Sequence, residues 1–124
     1  MKQTLATAQA PAAIGPYSQG IAAGQTVYVS GQLPIDSITG AIPEGIAAQT
    51  AQSLKNIQAI LAEQGMTLAD VVKTTVFLAD MNDFAEMNKV YGEYFAQPFP
   101  ARSAVQVAKL PKGAPLEIEC IAVK

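Results

Sequence analysis

The chain has 124 residues, half of them hydrophobic and 15% charged, with a net charge of -2 and no histidine. That length and apolar content exclude a disordered chain and suffice for one domain, residues 1–124, with its own core. The lack of any basic run argues against nucleic-acid binding, the lack of histidine removes Ser-His-Asp and Cys-His catalysis and an ordinary zinc site, and the lone Cys120 excludes an internal disulfide framework.

Residues 10–16, Ala-Pro-Ala-Ala-Ile-Gly-Pro, read as an irregular lead-in. Tyr17 to Ala23 and Thr26 to Ser30 are predicted as two strands joined by a turn at Gly24-Gln25. Leu33 to Gly45 is turn-rich. Ala47, Ala51, Leu54, Ile57, Ile60 and Leu61 recur at helical spacing, which predicts a helix from Ile46 to Gln64 stopped by Gly65. Thr67 and Asp70 have the spacing of a capping box. Val71 to Leu78 is β-branched and aromatic, the composition of a strand. Asp80 suits the N-cap of a second helix whose Phe84, Met87, Tyr91, Tyr94 and Phe95 form an apolar stripe, with Pro98 and Pro100 ending it. Ser103 to Ala108 and Leu116 to Val123 complete the set as strands.

The order β-β-α-β-α-β-β predicts an α+β domain with both helices on one face of a sheet. Alternation in the last strand puts Leu116, Ile118, Cys120 and Ala122 on one side and Glu117, Glu119, Ile121 and Val123 on the other. Both sides are largely apolar and helices cover only one. An oligomer with Glu117 partly buried at its interface is therefore expected. No apolar stretch reaches membrane-spanning length, and the first residues lack the basic and apolar regions of a signal peptide, so a soluble cytoplasmic protein is expected.

With histidine absent, chemistry falls to carboxylates, hydroxyls, lysine, arginine and backbone groups. Arg102 is the only arginine, in Phe99-Pro100-Ala101-Arg102-Ser103; its planar fork of donors fits a carboxylate or phosphate, and equally a structural ion pair. Glu117 and Glu119 share a strand face and read either as a general base with a neighbour or as two solvated charges. Tyr17 suits a pocket wall or a core rim. Ser30-Gly31 offers a hydroxyl and an approachable backbone N–H, or a plain strand-to-turn transition. Asn88 is a ligand contact or a solvent-facing amide. Cys120 reads as a buried structural thiol. If the last two strands form a hairpin through Lys109–Pro115, Arg102 and Glu117 stand about 15 Å apart, and a shared site is more easily completed across a subunit boundary.

Several segments together resemble the RidA/YjgF family of reactive-intermediate deaminases: Ala13-Ile14-Gly15-Pro16-Tyr17-Ser18-Gln19-Gly20, Ser30-Gly31-Gln32-Leu33-Pro34, Lys73-Thr74-Thr75-Val76-Phe77-Leu78, Asn82-Asp83-Phe84-Ala85, Phe99-Pro100-Ala101-Arg102-Ser103, and Leu116 to Ala122. The resemblance implies a chorismate-mutase-like fold with a mixed sheet, assembled as a homotrimer with sites between subunits. It implies hydrolysis of 2-enamine and 2-imine acids to 2-oxo acids and ammonia without cofactor or metal. Arg102 would clamp the substrate carboxylate and Glu117 would activate or position water. Tyr17, Ser30, Gly31, Phe84 and Asn88 would line the pocket. Many relatives have cysteine where this chain has Ala104, so only backbone groups of residue 104 can contribute. The competing readings are a module that binds small carboxylates without turnover, and a chaperone or RNA-cleaving role.

Overall fold

The computed structural model describes all 124 residues. Its six strands are β1 (Lys2–Leu5), β2 (Gly20–Ala23), β3 (Thr26–Gln32), β4 (Val71–Leu78), β5 (Ala101–Gln106) and β6 (Leu116–Val123). They form one mixed sheet in the order β1-β2-β3-β6-β4-β5, in which only β4 and β5 run parallel. The helices are α1 (Ile46–Ala62) and α2 (Phe84–Tyr94). The expected α+β architecture with a mixed sheet is what forms.

The core is the layer between the helices and one sheet face. Leu54, Ile57, Ile60 and Leu61 of α1 and Met87 of α2 are fully buried. They meet Val76, Leu78, Leu116, Ile118 and Ala122, the inward residues of β4 and β6. Each buried aliphatic side chain contributes about 1.5–3 kcal/mol, so this layer dominates stability. Gly65 ends α1 with φ 68°, and the Thr67–Asp70 capping box forms as its spacing predicts. Asp80 accepts from the Asn82 N–H and caps a short 3-10 turn, Met81–Asp83, that runs into α2.

The structure differs from the expected arrangement at five points. β1 lacks an alternating apolar pattern because three of its four residues are exposed; it forms by pairing with the free edge of β2. The strand expected from Tyr17 begins only at Gly20, because the Tyr17 N–H turns back to the Gly15 carbonyl. The first helix stops at Ala62 rather than Gln64, and β5 lies two residues earlier than expected. Most consequential, β5 and β6 form no hairpin. β4 lies between them, since a helical crossover through α2 returns the chain parallel to β4.

The opposite sheet face carries no helix. Tyr28, Phe77, Val105, Ile121 and Val123 lie on it with Lys73, Thr75, Ser103, Glu117 and Glu119. Tyr28 is 50% exposed and Val105 44%. No helix is long and apolar enough to cross a membrane.

Candidate active site

Glu117 projects from β6 onto the open face beside a bulge in β3. The β3–β6 register shifts between Val29 and Gln32, which throws Ser30 and Gly31 out of regular pairing. Gly31 then backs directly onto the Glu117 side chain: a Cβ there would stand 2.6 Å from Cδ and 2.8 Å from Oε1. Only hydrogen fits. The Ser30 hydroxyl donates to the Ser18 carbonyl and its N–H to the Gln19 carbonyl. With its proton committed, the hydroxyl has only acceptor capacity left for a ligand.

These residues line a cleft of about 930 Å³, together with Tyr17, Glu119, Leu33, Ile35 and Lys112. Two buried amides hold its walls. The Gln19 side chain accepts from the Thr7 N–H and donates to the carbonyls of Thr7, Ala10 and Pro11. Asn56 of α1 donates to the carbonyls of Leu33 and Ile35, and Gln52 donates to its oxygen. Burial pushes the Glu117 carboxyl above the ordinary carboxylate range, and the neighbouring Glu119 charge adds to the shift. A carboxylate so placed is a better proton acceptor than a solvated one.

Arg102 lies elsewhere. On the edge strand β5 it points to the helix side, where its guanidinium donates to Asn88 Oδ1 at 2.7 Å. The guanidinium carbon sits 4.7 Å from the Tyr91 ring centroid and 5.4 Å from that of Phe84. Ala104, two residues along the same strand face, packs against the core. The structural ion-pair alternative finds no support, since the side-chain partner of Arg102 is an amide oxygen. Remaining N–H groups are available for an anion. Cys120 is buried as expected, its thiol pushed up to about 12 by burial and then by Glu119.

The expected site residues thus fall into two groups: Tyr17, Ser30, Gly31 and Glu117 in the cleft, and Phe84, Asn88, Arg102 and Ala104 at the β5 edge. Arg102 pairs with Thr74, which pairs with Cys120, while Glu117 pairs with Phe77. Two strand spacings and three residues of rise put their Cα atoms about 14 Å apart, with side chains on opposite faces. One chain does not bring them together. Sequence reasoning missed Gln19, Asn56 and Tyr91 as supports. Asn56 had a visible signal, a polar residue on the apolar stripe of α1. Tyr91 was hidden within an apolar stripe, and nothing local marks Gln19. No three Cys, Asp or Glu side chains converge as a metal site requires.

Residues 7–124 match the family model described as Endoribonuclease L-PSP. The chain belongs to this family. Among its L-PSP relatives is the 2-iminobutanoate/2-iminopropanoate deaminase of Salmonella typhimurium, 52% identical over 100% of this chain and 99% of the relative. The structure of the Escherichia coli YjgF gene product superposes with a TM-score of 0.93 at 51% identity, covering 98% of each chain. Escherichia coli TdcF with bound serine gives a TM-score of 0.93 at 47% identity, again over 98% of each. The resemblance to RidA/YjgF proteins read from the sequence segments is therefore borne out.

Proposed function

We propose that this chain hydrolyses 2-imino and 2-enamino acids, such as 2-iminobutanoate and 2-iminopropanoate, to 2-oxo acids and ammonia. The observation that carries the reading is the 52% identity, over the full length, to a protein named for that activity. The site chemistry agrees with it. A carboxylate-bearing substrate suits Arg102, whose guanidinium has no acidic partner. The imine carbon is already electrophilic, so orientation, a water and a proton acceptor suffice. Glu117 takes a water proton as the oxygen bonds to C2, and the C=N pair collapses onto nitrogen. Glu117 then returns that proton to the amino group and the C2–N bond breaks. From the iminium form, the remaining hydroxyl proton leaves with ammonia as ammonium, and the 2-oxo acid is released. None of these steps calls for a metal or organic cofactor.

The working site is completed between copies of the chain, as a homotrimer. Two features support this. The Arg102 group sits on an edge strand, open to a neighbour, and the Glu117 face carries the apolar surface that helices leave uncovered. RNA cleavage, the activity in the family's description, fits the cleft poorly: Glu117 and Glu119 face it and the net charge is -2, so a phosphate backbone meets repulsion. A second reading, a module that binds small carboxylates without turnover, draws on the serine-bound relative.

The test is release of pyruvate or 2-oxobutanoate from freshly generated imines. The protein accelerates release, Arg102→Ala abolishes the increment, and Glu117→Gln loses turnover while still binding 2-oxobutanoate. Binding with no acceleration over water establishes the second reading instead.

A further inference from the structure

Arg102 is held by more than its own backbone. Beneath the guanidinium lies Tyr91, 5% exposed, its ring centroid 4.7 Å from the guanidinium carbon. The ring is fixed from two sides. Its hydroxyl shares a 2.7 Å hydrogen bond with the Thr74 hydroxyl, buried on β4, and its body packs on Phe95 with centroids 4.5 Å apart. Thr74 is also the residue that pairs with Arg102 across the β4–β5 ladder. Strand register thus places the anchor of the ring directly beside the residue that the ring supports. Asn88, one helical turn before Tyr91, takes one N–H of the guanidinium at its side.

We propose that Tyr91 is a positioning residue for substrate: an aromatic platform, locked by Thr74, that fixes the plane of the Arg102 guanidinium for two-point contact with a carboxylate. An arginine on a flexible stem loses rotamer freedom whenever it binds, and a ring beneath it removes part of that loss in advance. The negative face of the ring also stabilises the cation where water is partly excluded. Burial raises the Tyr91 hydroxyl above its ordinary value, against the pull of the Thr74 bond and the Arg102 charge, so the ring stays neutral at physiological pH. The interaction with Arg102 is then stacking rather than ion pairing, and leaves the outer edge of the guanidinium open. This inference rests on the proposed role of Arg102 as the carboxylate clamp.

The experiment keeps the shape of the site and changes the electrostatics of the ring. In a Thr74→Val background, which removes the partner hydroxyl, Tyr91→Phe retains the ring and its packing on Phe95 but releases the lock, and the KM for 2-iminobutanoate rises about threefold. Placing a fluorinated phenylalanine at position 91 keeps the volume and weakens or reverses the quadrupole. KM and the Kd of 2-oxobutanoate then rise about tenfold with kcat within threefold. Tyr91→Leu shows the same split, and in an Arg102→Lys background it adds little, because the planar cation it serves is gone. Fluorination without effect on KM or Kd overturns the platform. So does a Tyr91→Leu loss that adds in full to Arg102→Lys, which marks a merely structural role. Arg102→Ala separates the two levels: if it leaves KM and turnover unchanged, the clamp and the platform fall together. If it destroys activity while the ring variants behave as wild type, only the platform falls.

Discussion

Gly31→Ala is the sharpest probe of the cleft, because it adds one methyl group and nothing else. The φ of Gly31 is not positive, so alanine meets no backbone penalty there. The new Cβ would stand 2.6 Å from Glu117 Cδ, 2.8 Å from Oε1 and 2.9 Å from Cγ. Ordinary carbon contacts begin about 1 Å further out, so the carboxyl must move by about that distance. A displacement of 1 Å in a group that orients water costs about 100-fold in rate, or about 2.7 kcal/mol of barrier. Steady-state release of 2-oxobutanoate should therefore show kcat down about 100-fold. KM should change little, since the proposed carboxylate clamp, Arg102, belongs to the other group of residues. The control is Glu117→Ala, which removes the atoms that the methyl would strike. Gly31→Ala added to Glu117→Ala should cause no further loss. Wild-type kcat in the single variant, or full additivity in the double variant, would refute the reasoning that Gly31 acts through Glu117.

Mixing Arg102→Ala and Glu117→Gln chains after co-refolding should restore about a quarter of wild-type sites, because one boundary in four then pairs an intact arginine with an intact glutamate; no recovery would mean that both residues act within one chain. The pH profile carries a second test. In the proposed mechanism Glu117 must be ionised to accept a proton, and its carboxyl is raised, so activity should fall on acidification at a higher pH than an ordinary carboxylate predicts. Glu119→Gln should move that acid limb to lower pH. For stability the sign reverses: the raised carboxyl favours folding at low pH and that contribution is lost as pH rises through its folded value. Glu117→Gln should then be the more stable protein at neutral pH by thermal denaturation, with the advantage vanishing in acid. Asn56→Ala strands the Leu33 and Ile35 carbonyls in a buried setting and should lower urea stability by about 1–3 kcal/mol.

The elements were legible where local physics decides them. β4 and β6 begin and end where β-branched and alternating runs do, and α1 starts where its apolar stripe starts. β1 was not legible, because an edge strand that exposes most of its side chains needs no pattern of its own; it borrows the edge of β2. The pairing of β5 was misread for a related reason. A seven-residue gap between strands looks like a hairpin, and nothing within Lys109–Pro115 says that the place beside β6 is already taken by β4. Arg102 and Glu117 stood out by composition and spacing. Their supports did not, since Gln19, Asn56 and Tyr91 act through chain segments distant in sequence.

The corrected topology strengthens the case for a shared site rather than weakening it. In a hairpin, Arg102 and Glu117 would occupy one ribbon, and a modest bend in that ribbon could bring them together. With β4 between β5 and β6, the two side chains leave opposite faces of a continuous sheet. No local motion joins them short of unpairing the sheet, and β4 is anchored in the core through Val71, Val76 and Leu78. A water activated by Glu117 can therefore meet a carboxylate held by Arg102 only if the two residues come from different chains. Activity should consequently depend on protein concentration. On dilution below the assembly constant, turnover per chain should fall while the helical signal of the separated chains persists. A turnover number that stays constant through dissociation, followed by sedimentation or light scattering, would place the whole reaction in one chain.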